Sequence, residues 1–75
     1  MATDGIYRYE IRVKGEMQEY WLSRFSGLDF SLDAEGNTCM LGCMDQATLF
    51  GILNLICGIG MRLDWVMRHE EEYAR

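Results

Sequence analysis

Three cysteines, Cys39, Cys43 and Cys57, are the residues of this sequence with the most versatile chemistry. On one strand, residues 39 and 43 point the same way about 13 Å apart, which is beyond disulfide reach. No CxxC pair is present, and the one histidine, His69, completes no zinc-ligand cluster. We therefore expect reduced, partly buried thiols in a cytoplasmic protein, with no metal and no cofactor. A reactive Cys43, just before an expected helix, stays open as an alternative.

The segment around Gly36 has the oxygen-rich composition of a calcium-binding loop. Asp33, Glu35 and Asn37 supply oxygen atoms close together in the sequence. With Gly36 as the sixth loop position, however, the twelfth is Gly42, where a bidentate glutamate is required. The pattern therefore favours a hairpin turn rather than a calcium site.

Three further patterns resemble catalytic or phosphate sites without completing one. Gly58 and Gly60 match part of a phosphate-binding fingerprint, but they lie at the C-terminal end of an expected helix, where carbonyl groups are exposed. His69 precedes three glutamates in an expected solvated tail, with no nucleophile nearby in the sequence. None of the serines has a nucleophile-elbow context. We expect no catalytic residue, and we expect the protein not to be an enzyme.

The periodicity of apolar residues predicts four strands and two helices. Tyr7, Tyr9, Ile11 and Val13 alternate with charged residues over 6–14, which is typical of a half-buried strand. Residues 16–26 have apolar residues at helical spacing, and Gly27 suits a helix end. The remaining elements are strands over 28–33, 38–44 and 63–68 and a helix from residue 46 to about 59 that Asp45 can cap.

The order β-α-β-β-α-β indicates an α+β fold, the ferredoxin-like sandwich. Such a fold has a four-stranded antiparallel sheet, with the first and third strands central and both helices on one face. A β-meander with one helix is the alternative if residues 16–26 are irregular. We expect one domain over 1–75, with frayed termini at 1–4 and 69–75 and no signal peptide.

The second helix lies in a stretch, residues 47–61, that contains no charged residue. Seven residues form a broad apolar arc expected to face the sheet: Leu49, Phe50, Ile52, Leu53, Ile56, Cys57 and Ile59. The opposite side, which we call the outer face, consists of Ala47, Thr48, Gly51, Asn54, Leu55 and Gly58. The run is too short for a transmembrane span, which needs about 20 apolar residues.

The outer face therefore has two remaining interpretations. It is either an uncharged but solvated surface, or it is buried against a second polypeptide. Each interior glycine costs a helix about 1 kcal/mol relative to alanine, whereas small residues let another backbone come close. We favour burial in a homodimer, with Gly51 of one copy near Gly51 of the other.

Length and charge agree with this preference. A domain of 75 residues buries only about 60% of its unfolded surface and often needs a disulfide, a metal or a partner chain. The net charge is −5 and the bases are scattered, which argues against nucleic acid as a partner. We expect neither nucleic acid nor membrane as a partner, and a homo-oligomer, with a dimer favoured.

Nearly the whole chain resembles a group of small uncharacterised bacterial proteins. Their shared pattern runs YEIRVKG, then Trp, FxGL, a turn with Asp-Gly and Thr, and DQAxLxG followed by LLNxI. The matching positions here are 9–15, 21, 25–28, 36, 38, 45–51 and 53–56. The group has no established activity, so the resemblance implies no function. Relatives tend to carry charged residues where this chain has Cys57 and Gly58.

The sequence thus favours a non-enzymatic interaction module that self-associates through the outer face. The alternative is a regulatory domain that binds a small ligand at a subunit boundary, an expectation from fold analogy alone. The aromatic residues Tyr20, Trp21, Phe25 and Trp65 are expected in the core. A small apolar pocket beside the first helix becomes possible if part of that set is exposed.

Overall fold

The computed structural model describes residues 5–25 and 27–69. Within them the element order is β-α-β-β-α-β, as the periodicity predicted. The elements are β1 (Tyr7–Val13), α1 (Glu19–Leu22), β2 (Asp29–Leu32), β3 (Thr38–Met44), α2 (Gln46–Gly58) and β4 (Leu63–His69).

The strands form one sheet in the order β2-β3-β1-β4, with every neighbouring pair antiparallel. The first and third strands are therefore central. This order, with both helices on one face, is the ferredoxin-like arrangement, and that prediction is confirmed.

The core lies between one face of the sheet and the two helices. Alternation along β1 turns Tyr9, Ile11 and Val13 inward, as predicted for a half-buried strand. Met40 of β3 and Ile56 of α2 meet them and are fully buried. The residues of β1 with even numbers lie on the other face of the sheet, which no helix in the described part of the chain covers.

The first helix is much shorter than the predicted span of 16–26. It is a single turn, Glu19–Leu22. The residues before it are tied to β3, because the Met17 N–H donates to the Thr38 hydroxyl (2.9 Å) and that hydroxyl donates to the Gly15 carbonyl (2.8 Å). These bonds hold residues 15–17 in a non-helical conformation. Ser26, at the end of the predicted helix, lies outside the described residues.

The inward side of β4 differs from the sequence expectation. The register shifts at Arg12 and Val13, so that Trp65 lies opposite Arg12 and Val66 opposite Ile11. Val66 therefore packs on the core, whereas Trp65 lies on the uncovered face of the sheet. The expectation that Trp65 is core was wrong.

The C-terminal boundary of the sheet also differs. His69 was expected in a frayed tail, but it pairs with Arg8 as the last residue of β4. Its Nε2 lies 3.2 Å from a carboxylate oxygen of Glu10. The imidazole, with its side chain 31% exposed, therefore has a carboxylate neighbour and is not fully solvated as expected. The rest of the predicted frayed ends, 1–4 and 70–75, lies outside the described residues.

Arg12 joins three elements on the uncovered face. Its guanidinium lies 2.7 Å from the Asp33 carboxylate and 3.1 Å from that of Glu35. The Arg12 Nε is 3.3 Å from Asp64, a charge contact without hydrogen-bond geometry. This network links the β2–β3 hairpin to β4 across β1.

Replacing Thr38 with valine tests how much the two hydrogen bonds of its hydroxyl group contribute to the stability of the fold. Thr38→Val keeps the side-chain shape but leaves the buried Met17 N–H and Gly15 carbonyl without this hydroxyl, so we expect a loss of about 1–3 kcal/mol in unfolding free energy. Thr38→Ser retains the hydroxyl and is expected to cost less. Urea denaturation measures both, and an equal loss in the two variants contradicts the hydrogen-bond argument.

Candidate functional site

The second helix begins at a well-defined cap. The Asp45 carboxylate accepts a hydrogen bond from the Thr48 N–H (2.8 Å), as predicted for an N-cap. This backbone hydrogen bond lowers the pKa of Asp45 below its ordinary value. The helix ends at Gly58, and Gly60 follows with a φ of +86°, a left-handed conformation that favours glycine.

One side of α2 packs on the sheet, but this side is narrower than predicted. Leu49 and Ile56, two turns apart, are buried, and Ile52, Leu53 and Ile59 pack partly against the core. Phe50 and Cys57 were expected in the same arc. Both are exposed, with Phe50 exposed to 52%, because the sheet beneath α2 covers less of the helix than the seven-residue arc requires.

All six residues of the outer face are exposed in the single chain. Phe50 and Cys57 flank one side of this face, while Leu55, 37% exposed, lies towards the other. Nine of the thirteen residues of α2 are exposed and none of the thirteen is charged. Helices at a protein–water boundary usually place charged and polar residues on the exposed side.

The glycines of α2 are not required by packing within the chain. Among the described residues, no neighbouring group lies within 4 Å of the position that a Cβ would take at Gly51 or Gly58. Gly42 in β3 is the opposite case, since a Cβ there would collide with the Leu28 side chain. The fold of a single copy therefore explains Gly42 but does not explain Gly51.

A groove borders the outer face where α1 ends. Its volume is about 370 Å³, and Arg24 and Phe25 line it opposite Thr48, Gly51 and Leu55. The Arg24 guanidinium lies 5.4 Å from the centre of the Tyr20 ring. Sequence reasoning did not bring Arg24 to this place, because the position depends on how the chain turns after the shortened helix.

The remaining sequence candidates lie apart from the outer face. Cys39 and Cys43 occupy the same side of β3, on the uncovered face of the sheet, and all three cysteines are free thiols. Burial raises the pKa of the Cys39 thiol.

The Asp33 carboxylate accepts hydrogen bonds from the Asn37 and Glu35 N–H groups, and the Asn37 bond contributes most to lowering the pKa of Asp33. Residues 33–37 thus form the predicted hairpin turn.

The expected aromatic core is only partly present. Phe25 is buried and Trp21 packs partly against the core, but Tyr20 is 59% exposed. Within residues 5–25 and 27–69, no group of side chains is arranged to hold a metal ion, and no helix has the length and apolarity to cross a membrane.

Comparison with known proteins gives one match. A family model described as a domain of unknown function (DUF8691) matches residues 8–67. The match extends from β1 to β4 and includes all of α2. No curated protein and no solved structure matches the chain.

The cap of α2 should make stability depend on pH. Because the folded-state pKa of Asp45 is below its unfolded value, its charge stabilises the fold above the unfolded pKa. That contribution is lost as pH falls below the ordinary value of 3.8 and through the lower folded-state pKa. We expect the difference in unfolding free energy between wild type and Asp45→Asn to change over this range, measured by urea denaturation. Both proteins keep Asp33, so its titration cancels, and a difference independent of pH contradicts the assignment.

Proposed function

The chain belongs to the family of unknown function DUF8691, and we propose that it is a non-enzymatic interaction module that self-associates through the outer face of α2. The observation that carries the proposal is the set of nine exposed, uncharged residues on this helix. Removing the apolar side chains of Phe50 and Leu55 from water lowers the free energy of the assembly, and no charge on this helix has to be desolvated.

The glycines support a helix as the partner. Gly51 lies in the interior of α2 and weakens the helix by about 1 kcal/mol relative to alanine, whereas Gly58 is the last residue of the helix. Since no packing contact within the described chain requires Gly51, closeness to a second backbone is the advantage that offsets this cost. A stripe of small residues flanked by Phe50 and Leu55 has the shape that admits another helix.

A two-fold axis at Gly51 gives an antiparallel pair of helices. At a rise of about 1.5 Å per residue, Leu55 of each copy then comes beside Thr48 of the other copy. Thr48 lies at the groove lined by Arg24 and Phe25, so the groove offers space for that leucine. The pair would thereby cover apolar surface at both ends of the outer face.

The groove also supports a second candidate, a regulatory domain that binds a small ligand at the subunit boundary. Its volume of about 370 Å³ suits a small molecule, and Arg24 adds a positive charge beside the Phe25 ring. A small acid with an apolar portion fits this lining best.

A leucine at Gly51 should block self-association without harming the fold. Gly51→Leu adds a bulky side chain where a second helix would approach, while the single chain has open space there. We expect wild type to elute as a dimer at micromolar concentration, and Gly51→Leu as a monomer with an unchanged circular dichroism spectrum. Size-exclusion chromatography with light scattering measures the mass.

Gln46→Leu is the matched control. Gln46 is also exposed on α2, but five residues place it about 140° around the helix from Gly51. This variant should remain dimeric. A monomeric wild type at these concentrations, or equal loss of assembly in both variants, contradicts the proposal.

Ligand binding in the groove makes a separate prediction. Thermal shift measurements against a panel of amino acids and nucleotides should raise the melting temperature of wild type for the acidic members that fit the groove. Arg24→Gln should abolish the rise, because it removes the positive charge. If no panel member stabilises the protein, the second candidate is rejected while the self-association proposal is unaffected.

A further inference from the structure

The outer edge of β2, with which no strand of the described residues pairs, lies beside an apolar groove on the side of the sheet that α1 covers incompletely. The groove has a volume of about 250 Å³ and is lined chiefly by Glu16, Met17, Leu22, Phe30, Leu32 and Thr38. It contains no residue of α2, so it is separate from the outer face. Because α1 is only one turn long, the β2 end of the core is left partly open, and Leu32 is 51% exposed.

Two residues of β2 direct their backbone N–H and C=O groups towards this outer edge. In an antiparallel pair, residues alternate between bonding to the partner strand and pointing away from it. The Asp33 N–H donates to the Asn37 carbonyl, so this pair bonds between the two arms of the hairpin. The Thr38 N–H instead points away from β2 and donates to the Gly15 carbonyl. The opposite residue, Leu32, therefore directs its N–H and C=O outward. Phe30, two residues earlier and paired with Met40, does the same.

Edge and groove together have the features of a site for strand addition. An extended peptide satisfies outward N–H and C=O groups, while a neighbouring pocket accepts one of its side chains. Met17, Leu22 and Phe30 would surround an apolar side chain at this place. Filling the groove would complete the part of the core that α1 leaves uncovered.

Charge identifies the kind of peptide. Glu16 at the rim of the groove and Asp29 on β2 are both exposed carboxylates, and the chain as a whole carries −5. A second copy of β2 would bring its own acids against these, which disfavours self-pairing. We propose that β2 binds a basic segment in extended conformation, with an apolar side chain in the groove and lysine or arginine residues facing Glu16 and Asp29.

A panel of synthetic peptides tests this proposal. Each has the sequence Thr-Lys-Lys-X-Lys-Lys-Thr, where X is leucine, isoleucine, valine, phenylalanine or methionine, so that lysines lie on both faces of the extended peptide. Titration into the 15N-labelled full chain should shift the amide signals of Phe30 and Leu32 for at least one peptide and slow their exchange with solvent. The same peptide with glutamate in place of lysine, or with the backbone nitrogen of X methylated, should bind at least about tenfold more weakly.

Variants of the protein locate the site. Leu32→Lys places a positive charge at the groove in an exposed position, where it repels the basic peptide, and should weaken binding at least about tenfold. Ile6→Lys is the matched control, since Ile6 is similarly exposed but precedes β1 at the other end of the sheet. The proposal is overturned if no panel member binds at about 1 mM, if Leu32→Lys binds as well as Ile6→Lys, or if the shifts are confined to α2 or β4.

Discussion

The structure depends on how α2 packs on the sheet. Leu49 and Ile56, separated by two helical turns, fix the side of the helix that faces β1 and β3. A helix packed on a sheet buries only one side, and α2 has no charged residue to place on the other. This orientation decides which uncharged residues of α2 remain in contact with water.

Charge and apolar surface are distributed unevenly over the molecule. The uncovered face of the sheet carries the Arg12 network with Asp33, Glu35 and Asp64, whereas the helix layer presents uncharged α2. Two copies with a charge of −5 each repel one another, and salt screens that repulsion over about 10 Å at 0.1 M. Contact through α2 keeps the charged faces apart, so the proposed pair avoids the strongest like-charge contacts.

The sequence predicted features that depend on local spacing and missed those that depend on tertiary packing. Alternation along β1 and the position of the outer face on the side of α2 away from the core followed from residue spacing alone. Phe50 was misplaced because the width of a buried arc depends on the shape of the surface beneath the helix. The orientation of Trp65 reversed because of a register shift against β1, and the groove at Arg24 required the turn after α1. None of these has a local sequence signal.

Paramagnetic labelling of Cys57 tests the central claim most directly. Cys39 and Cys43 are first changed to serine, so that a nitroxide attaches only to Cys57. Chains that carry this nitroxide but no 15N are then mixed with 15N-labelled chains that carry no nitroxide. An antiparallel pair centred on Gly51 brings this label near the start of α2 in the other copy. The account predicts that amide signals of residues 45–51 broaden most strongly in the mixed sample, more than those of the sheet. Absence of broadening between chains, or broadening confined to the sheet, contradicts it.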